Sequence, residues 1–263
     1  MTSTVQWLFL AVWSVLWISI ALLASIASRE VPLWMARRCW APPLVWASRA
    51  RLEVLPGAKL EPGRPYVFLM NHQSMLDIAL AFAVIPVNLR FIAKKVLKSI
   101  PFLGWYMWRT RMIFVDRANR RQALASLTAA GEQIRAGASI IAYPEGTRSR
   151  HGEILPFKKG TFVVAIEAGV PIVPVVVDGT HRVVPSGSYR MYPDRVRVKI
   201  GEPIATAGLT QGDVEPLMRR VRDAMIDLHL GVGGLGGDKE QAIALPGHEG
   251  IGRAVRLRPP RAA

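Results

Sequence analysis

From residue 65 onward, short apolar and β-branched runs alternate with stretches of helical periodicity. The pattern predicts strands at residues 66–70, 89–93, 112–115, 139–143, 172–177 and 196–200. It predicts helices at residues 75–84, 120–135, 161–168 and 214–230. Strands that alternate with helices form a mostly parallel sheet flanked by helices on both faces. The sequence therefore predicts an α/β fold, with its chemistry at the carboxyl ends of the strands.

The N-terminal segment indicates how the chain is attached to a membrane. Its first 28 residues contain no ionisable side chain, and residues 7–27 form an apolar run long enough to cross a bilayer as a helix. Five arginines follow this run by residue 51 and none precedes it, so we expect an anchor in the cytoplasmic membrane with the bulk of the chain on the cytoplasmic side. A cleaved signal peptide is the alternative, because Ser25-Ile26-Ala27 resembles a cleavage site.

Residues 31–48 combine three tryptophans with an arginine pair and two adjacent prolines, a composition typical of the membrane headgroup region. The alternative is a linker that carries core aromatic residues. We thus divide the chain into a transmembrane or membrane-embedded helix at 1–28, an interfacial helical segment and linker at 29–60, the α/β domain at 61–230, and a flexible Gly-rich basic tail at 231–263. The tail contains G-x-G-x-x-G after a helix rather than a strand, which argues against a dinucleotide site.

The net charge of +15 indicates an anionic partner, which by charge alone is nucleic acid, membrane headgroups or a phosphorylated substrate. Several cations stand directly after predicted strands or in the loops that leave them. Because the carboxyl ends of parallel strands meet at one edge of a sheet, these cations are predicted to hold a phosphate together. They are Lys94, Lys95, Lys98, Arg117, Arg148, Lys158 and Lys159.

The stretch NHQSMLD, residues 71–77, follows the first strand of the predicted domain. Ser74 with Asp77 three residues later predicts a helix N-cap at Ser74. With His72 in the loop before that cap, Asp77 in the first turn can reach back to the imidazole. A carboxylate that holds one ring nitrogen leaves the other as a base. The alternative is a turn histidine beside an aspartate that serves only the helix N-terminus.

Four blocks, NHQSMLD, IFVDR, YPEGTRS and VPIVPVVV, in this order resemble the motifs of the lysophosphatidic acid acyltransferases, the 1-acylglycerol-3-phosphate O-acyltransferase family. The similarity extends from about residue 65 to residue 177. It implies the glycerolipid acyltransferase fold and an enzyme of phospholipid synthesis. Such an enzyme moves a fatty acyl group from coenzyme A or acyl carrier protein to lysophosphatidic acid, giving phosphatidic acid. Arg111 departs from the pattern, since many members carry glycine there.

The resemblance implies that His72 is the general base and Asp77 its orienting partner. It assigns the acceptor site to a set of residues on two loops, with the arginines on the phosphate: Arg117, Glu145, Gly146, Thr147 and Arg148. We expect direct transfer rather than an acyl-enzyme, since Ser74 is better explained as a cap and Cys39 has no adjacent base.

Partners and cofactors follow from the same reasoning. The five histidines have no metal-ligand spacing, so we expect no metal and no cofactor beyond the acyl-thioester substrate. The expected partners are the lysophospholipid, the acyl donor and the bilayer, and not nucleic acid. Two alternatives stay open: the same chemistry on another lysolipid such as lyso-ornithine lipid, and a non-enzymatic protein that binds anionic membranes.

Overall fold

The computed structural model describes residues 3–116 and 120–241. Its strands are β1 (Arg51–Val54), β2 (Val67–Met70), β3 (Leu89–Lys94), β4 (Ile113–Val115), β5 (Ser139–Ala142), β6 (Ile172–Asp178) and β7 (Arg195–Ile200). Its α-helices are α1 (Ser3–Ala24), α2 (Val31–Met35), α3 (Ala41–Ala47), α4 (Leu76–Val84), α5 (Leu103–Arg109), α6 (Arg120–Arg135), α7 (Gly160–Ala168), α8 (Thr180–Val183) and α9 (Val214–Gly231). A π-helical turn, Ala36–Trp40, joins α2 to α3, and 3-10 turns lie at Lys95–Ser99 and Gln211–Asp213.

Within the described chain, the strands form one seven-stranded sheet in the order β1-β7-β6-β2-β5-β3-β4. All neighbouring pairs are parallel except β6 with β7, which is antiparallel. The central strands β2, β5 and β6 are buried along their whole length, as expected of strands covered on both faces. The predicted α/β fold with a mostly parallel sheet is therefore confirmed.

Alternate residues of the central strand β2 enter two hydrophobic cores. Phe68 and Met70 pack on one face of the sheet with α4, the N-terminal helices and α5. Val67 and Leu69 pack on the other face with α6, α7 and α9. Because successive strand side chains point to opposite faces, one four-residue strand ties both helical layers to the sheet.

The predicted strands and helices are confirmed, and each observed end lies within one residue of the predicted one. The pattern missed β1, whose four residues are mostly exposed at the sheet edge and pair with β7. The sheet thus begins at Arg51, before the predicted start of the domain at residue 61. The helix α5 was also missed, because it carries apolar residues on both its inward and its outward side.

Helix α1 lies along the domain. Near its start, the Gln6 side chain donates a hydrogen bond to the Ala47 carbonyl at 2.7 Å, and the Trp7 indole donates to the Tyr189 carbonyl at 2.7 Å. Just beyond its other end, Arg109 Nε donates to Ser25 Oγ at 3.2 Å. Among the described residues, α1 is the one helix long and apolar enough to cross a membrane. Only 6% of the residues in its most apolar 18-residue stretch are buried.

The start of the predicted tail packs against the domain. The Gly236 carbonyl accepts the Ile154 N–H at 2.7 Å, and the guanidinium of the fully buried Arg222 donates to the carbonyls of Asp238 and Ile154. Residues 236–238 are therefore tied to α9 and to the loop after β5. The remainder of the predicted tail, residues 242–263, lies outside the described residues.

Candidate active site

His72 and Asp77 form a hydrogen-bonded pair at the carboxyl end of β2. The distance from His72 Nδ1 to Asp77 Oδ2 is 2.7 Å. The same carboxylate oxygen accepts the backbone N–H groups of Gln73 and Ser74, at 2.7 and 2.8 Å. Asp77 is fully buried, so these bonds fix the carboxylate and through it the plane of the imidazole. His72 lines a cavity, and its Nε2 makes no hydrogen bond with any described residue.

Helix α4 begins at Leu76, and the Met75 side chain in the cap position makes no cap bond. Ser74 Oγ accepts the Leu76 N–H at 3.3 Å, as predicted for a side chain that caps the helix start. The Ser74 hydroxyl also donates to the Val184 carbonyl at 2.8 Å. The loop is ordered by Asp77, which binds the N–H of Ser74 as the acidic residue of a capping box does.

Thr180 is a member of the site that the motifs did not identify. Its hydroxyl donates to Asp77 Oδ1 at 2.6 Å, and the residue is fully buried. Thr180 follows Gly179, whose φ of 99° lets the chain turn sharply at the end of β6. The signal in the sequence was the Gly-Thr pair after the strand block VPIVPVVVD, where a strand end meets the same sheet edge as His72.

The loop after β5 contacts both the imidazole ring and the backbone of His72. The Tyr143 ring stacks on the imidazole with centroids 4.0 Å apart and an angle of 19° between the planes. Ser149 N–H donates to the His72 carbonyl at 2.7 Å, and Glu145 Oε1 accepts the His72 N–H at 3.0 Å. The predicted acceptor residue Glu145 is therefore placed under the His72 loop, and it does not line the cavity.

Burial dominates the electrostatics beneath His72. It raises the pKa of the Glu145 carboxyl well above its usual value. The hydrogen bond from the His72 N–H lowers this pKa, whereas the nearby Asp77 and Glu153 carboxylates raise it. Burial also raises the pKa of Tyr143, again with a contribution from Asp77. Burial therefore favours the neutral form of both groups.

The cavity at His72 has a volume of about 630 Å³. It brings together several of the predicted acceptor residues, from the end of β3 and from the loop after β5: Lys94, Gly146, Thr147, Arg148 and Lys158. Lys95 points elsewhere, because its ammonium group binds Asp116 at 3.2 Å and Gln122 at 2.8 Å. The predicted phosphate ligand Arg117 lies outside the described residues.

The rest of the cavity wall is apolar. It is formed by side chains of α1, α2, α4 and α5, among them Trp17, Ile18, Met35, Phe82 and Met107. One cavity therefore joins a cationic region, a histidine with a free ring nitrogen, and an apolar region large enough for hydrocarbon. A molecule with an anionic head and an aliphatic chain fits this combination.

Comparison with known proteins adds to this geometry. A family model described as Acyltransferase matches residues 51–178. The 1-acyl-sn-glycerol-3-phosphate acyltransferase of Saccharomyces cerevisiae is 35% identical over 206 residues, which cover 77% of this chain and 67% of the yeast protein. The alpha form of that enzyme from Mus musculus is 33% identical over 77% of this chain and 72% of its own length. The crystal structure of the 1-acyl-sn-glycerophosphate acyltransferase of Thermotoga maritima matches with a TM-score of 0.74 and 26% identity, over 87% of this chain and 95% of that one.

Proposed function

The chain belongs to the 1-acyl-sn-glycerol-3-phosphate acyltransferase family and is an O-acyltransferase; from this premise we propose that it acylates the free hydroxyl of lysophosphatidic acid to give phosphatidic acid. The acyl donor is a thioester of coenzyme A or acyl carrier protein. One observation carries the proposal: His72, held by Asp77 at 2.7 Å, lines the same cavity as Arg148 and the apolar wall.

In the proposed reaction, His72 Nε2 takes the proton of the lysolipid hydroxyl as its oxygen attacks the thioester carbonyl. The carbon–sulfur bond then breaks, and the imidazolium returns its proton to the leaving thiolate. Asp77 stabilises the transient imidazolium through Nδ1–H, and Thr180 holds the far oxygen of that carboxylate. A positioned base of this kind accelerates attack by about 100- to 10,000-fold. No acyl-enzyme is required.

The cations of the cavity supply the site for the acceptor phosphate. Arg148 can bind two phosphate oxygens through its planar guanidinium, and Lys158 and Lys94 add point charges along the same wall. A phosphate fixed there holds the lysolipid so that its hydroxyl stays near His72, which converts an encounter in solution into a positioned reaction. The apolar wall accommodates aliphatic chain.

We also propose that α1 lies in one leaflet rather than across the bilayer. A helix of 22 residues is about 33 Å long. Contacts with the domain at both ends, through Gln6 and Ser25, favour an orientation along the membrane surface. Its exposed side chains, such as Val12 and Leu23, are apolar and would enter the lipid. The arginines that follow α1 favour the cytoplasmic leaflet.

The test is acylation by purified protein in lipid vesicles, with coenzyme A and carrier-protein donors and a panel of lysolipids that includes lyso-ornithine lipid. Mass spectrometry of the products should show phosphatidic acid as the main product, and His72→Ala should abolish it. If another lysolipid gave more product, that lysolipid would be the acceptor and the proposed acyl transfer would stand. Full activity of His72→Ala would contradict the assignment of His72 as the general base. Because no cofactor is expected, addition of a chelator should leave the rate unchanged.

A further inference from the structure

Helix α5 has an aromatic outer face. On its inner side, Tyr106 and Met107 are buried and line the cavity. On its outer side, Trp105 is 56% exposed and Trp108 is 61% exposed, and Phe102 just before the helix is 44% exposed. Residues three apart on a helix are neighbours, so the two indole rings form one patch, which we call the α5 face together with Phe102. Soluble surfaces rarely leave such aromatic groups uncovered without a partner.

The backbone at both ends of α5 is unusual. Phe102 precedes the helix with φ of 61°, and Arg111 follows it with φ of 59°. Residues with a side chain rarely adopt this left-handed region, which glycine occupies freely. Such strain persists where the surrounding structure requires it, and often at functional sites. Here it holds an exposed aromatic ring at one end of the helix and an exposed cation at the other.

The α5 face adjoins the helix that we place in the membrane. Arg109 of α5 binds Ser25 at the end of α1, and the Tyr106 hydroxyl donates to the Pro32 carbonyl at 3.4 Å. Both helices belong to the same hydrophobic core on one face of the sheet. Exposed apolar side chains therefore lie on both of these contacting helices, among them Leu16 and Leu23 of α1 and Trp105 and Trp108 of α5.

The charges around the α5 face match a lipid surface. Lys98 lies in the 3-10 turn before α5 and Arg111 two residues after the helix, and both are exposed. Neither takes part in the ion pairs found among the described residues. Tryptophan prefers the depth of the lipid headgroups, and lysine and arginine beside it attract anionic lipid. This arrangement favours a bilayer over a protein partner. Anionic headgroups are present across a lipid surface, whereas a protein partner would need an acidic groove that matches these two cations.

We propose that the α5 face is a second membrane contact, which enters the same leaflet as α1 with Lys98 and Arg111 at the level of anionic headgroups. The proposal rests on the membrane association proposed above and makes it more specific. Because the inner side of α5 forms cavity wall, this contact brings that wall to the depth of the lipid chains. The acceptor can then pass from the leaflet to the cavity without crossing water.

Site-directed spin labelling tests the proposal. Cys39 is the only cysteine, so Cys39→Ser gives a background in which single cysteines can carry a nitroxide. Labels are introduced by Trp105→Cys and Trp108→Cys, and the full chain is reconstituted in vesicles of phosphatidylcholine and phosphatidylglycerol. Collision with oxygen reports a lipid environment, and collision with a water-soluble nickel chelate reports water. Val12→Cys on α1 reports membrane association itself, and Arg220→Cys, exposed on α9 across the sheet, is the aqueous control.

We expect the labels at 105, 108 and 12 to be accessible to oxygen and shielded from nickel, and the label at 220 to show the reverse. Water-like accessibility at both 105 and 108 with a lipid-like label at 12 would overturn the α5 proposal and leave the membrane association intact. Water-like accessibility at 12 as well would remove both. Dipolar broadening between copies at 105, with neither reagent reaching the label, would show that a second chain covers the face instead.

Discussion

Thr180 and Asp77 meet through a hydrogen bond of 2.6 Å from the threonine hydroxyl to Oδ1 of the carboxylate, although they are 103 residues apart in the chain. The other oxygen of this carboxylate binds the His72 imidazole at 2.7 Å. The carboxylate is fully buried, so each oxygen depends on protein donors. The orientation of His72 is therefore set partly by a residue at the end of β6.

We predict that Thr180→Val lowers kcat about tenfold and leaves the KM for the lysolipid unchanged. The change keeps the shape of the side chain but leaves one buried carboxylate oxygen without its donor, at a cost of about 1–3 kcal/mol. Thr180→Ser keeps the hydroxyl and should retain most of the activity. If Thr180 served packing alone, valine would be the milder substitution, and steady-state kinetics would rank the two variants in the opposite order.

Asp77→Asn should lower kcat by at least about 100-fold, because the neutral amide no longer stabilises the imidazolium formed during attack. Binding of the lysolipid should change little, since Asp77 does not line the cavity. Rapid-mixing experiments that follow a single turnover report the chemical step directly. A wild-type rate in this variant would contradict the role of the carboxylate.

Arg148→Ala and Lys158→Ala are predicted to raise the KM for lysophosphatidic acid about tenfold or more, because each removes a cation from the cavity wall. The neighbouring cations provide matched controls. Arg150 does not line the cavity, and Lys159 pairs with Glu215 on the surface. Arg150→Ala and Lys159→Ala should therefore leave KM near the wild-type value. Equal effects in all four variants would indicate a general surface charge effect instead of a phosphate site.

Glu145→Gln should stabilise the protein increasingly as the pH rises. The pKa of Glu145 is raised in the folded state by burial, so its contribution to stability is complete below the unfolded pKa near 4.5 and is lost as pH rises toward the folded pKa. Glutamine has no such loss, so the difference in unfolding free energy should grow by up to about 1.4 kcal/mol per pH unit in that window. Thermal unfolding from pH 5 to pH 8 measures it. A difference that is independent of pH would show that Glu145 is ionised in the fold.

Arg222→Met should destabilise the protein by about 3 kcal/mol. Arg222 is 1% exposed, and its guanidinium satisfies the carbonyls of Ile154, Leu155 and Asp238. Methionine fills similar space but leaves these acceptors unpaired. Arg219→Met, on the exposed side of the same helix, is the control and should change the unfolding free energy by less than about 0.5 kcal/mol. Hydrogen exchange at residues 232–238 should quicken in the first variant only.

The sequence determined the element pattern and the His72–Asp77 pair because both depend on local relationships. Hydrophobic periodicity reports whether a segment has one buried face or two, and five residues of chain suffice to bring a loop histidine to a carboxylate in the next helical turn. The cations at strand ends could likewise be assigned to one edge, since parallel strands carry their ends to the same side. The sequence did not show which of these cations faces the cavity. The tertiary structure was needed to distinguish Lys94, which lines the cavity, from Lys95, which binds Asp116.

Only the tertiary structure decided the contacts between distant segments. Residues 51–54 form a strand because β7 pairs with them. Thr180 reaches Asp77 because β6 lies beside β2. Glu145 binds the His72 N–H because the loop after β5 packs against the His72 loop. Helix α5 gave no periodic signal because one of its sides faces a cavity and the other is apolar and exposed. Local sequence limits the conformation of each segment, whereas the burial and partners of each side chain depend on the elements packed around it.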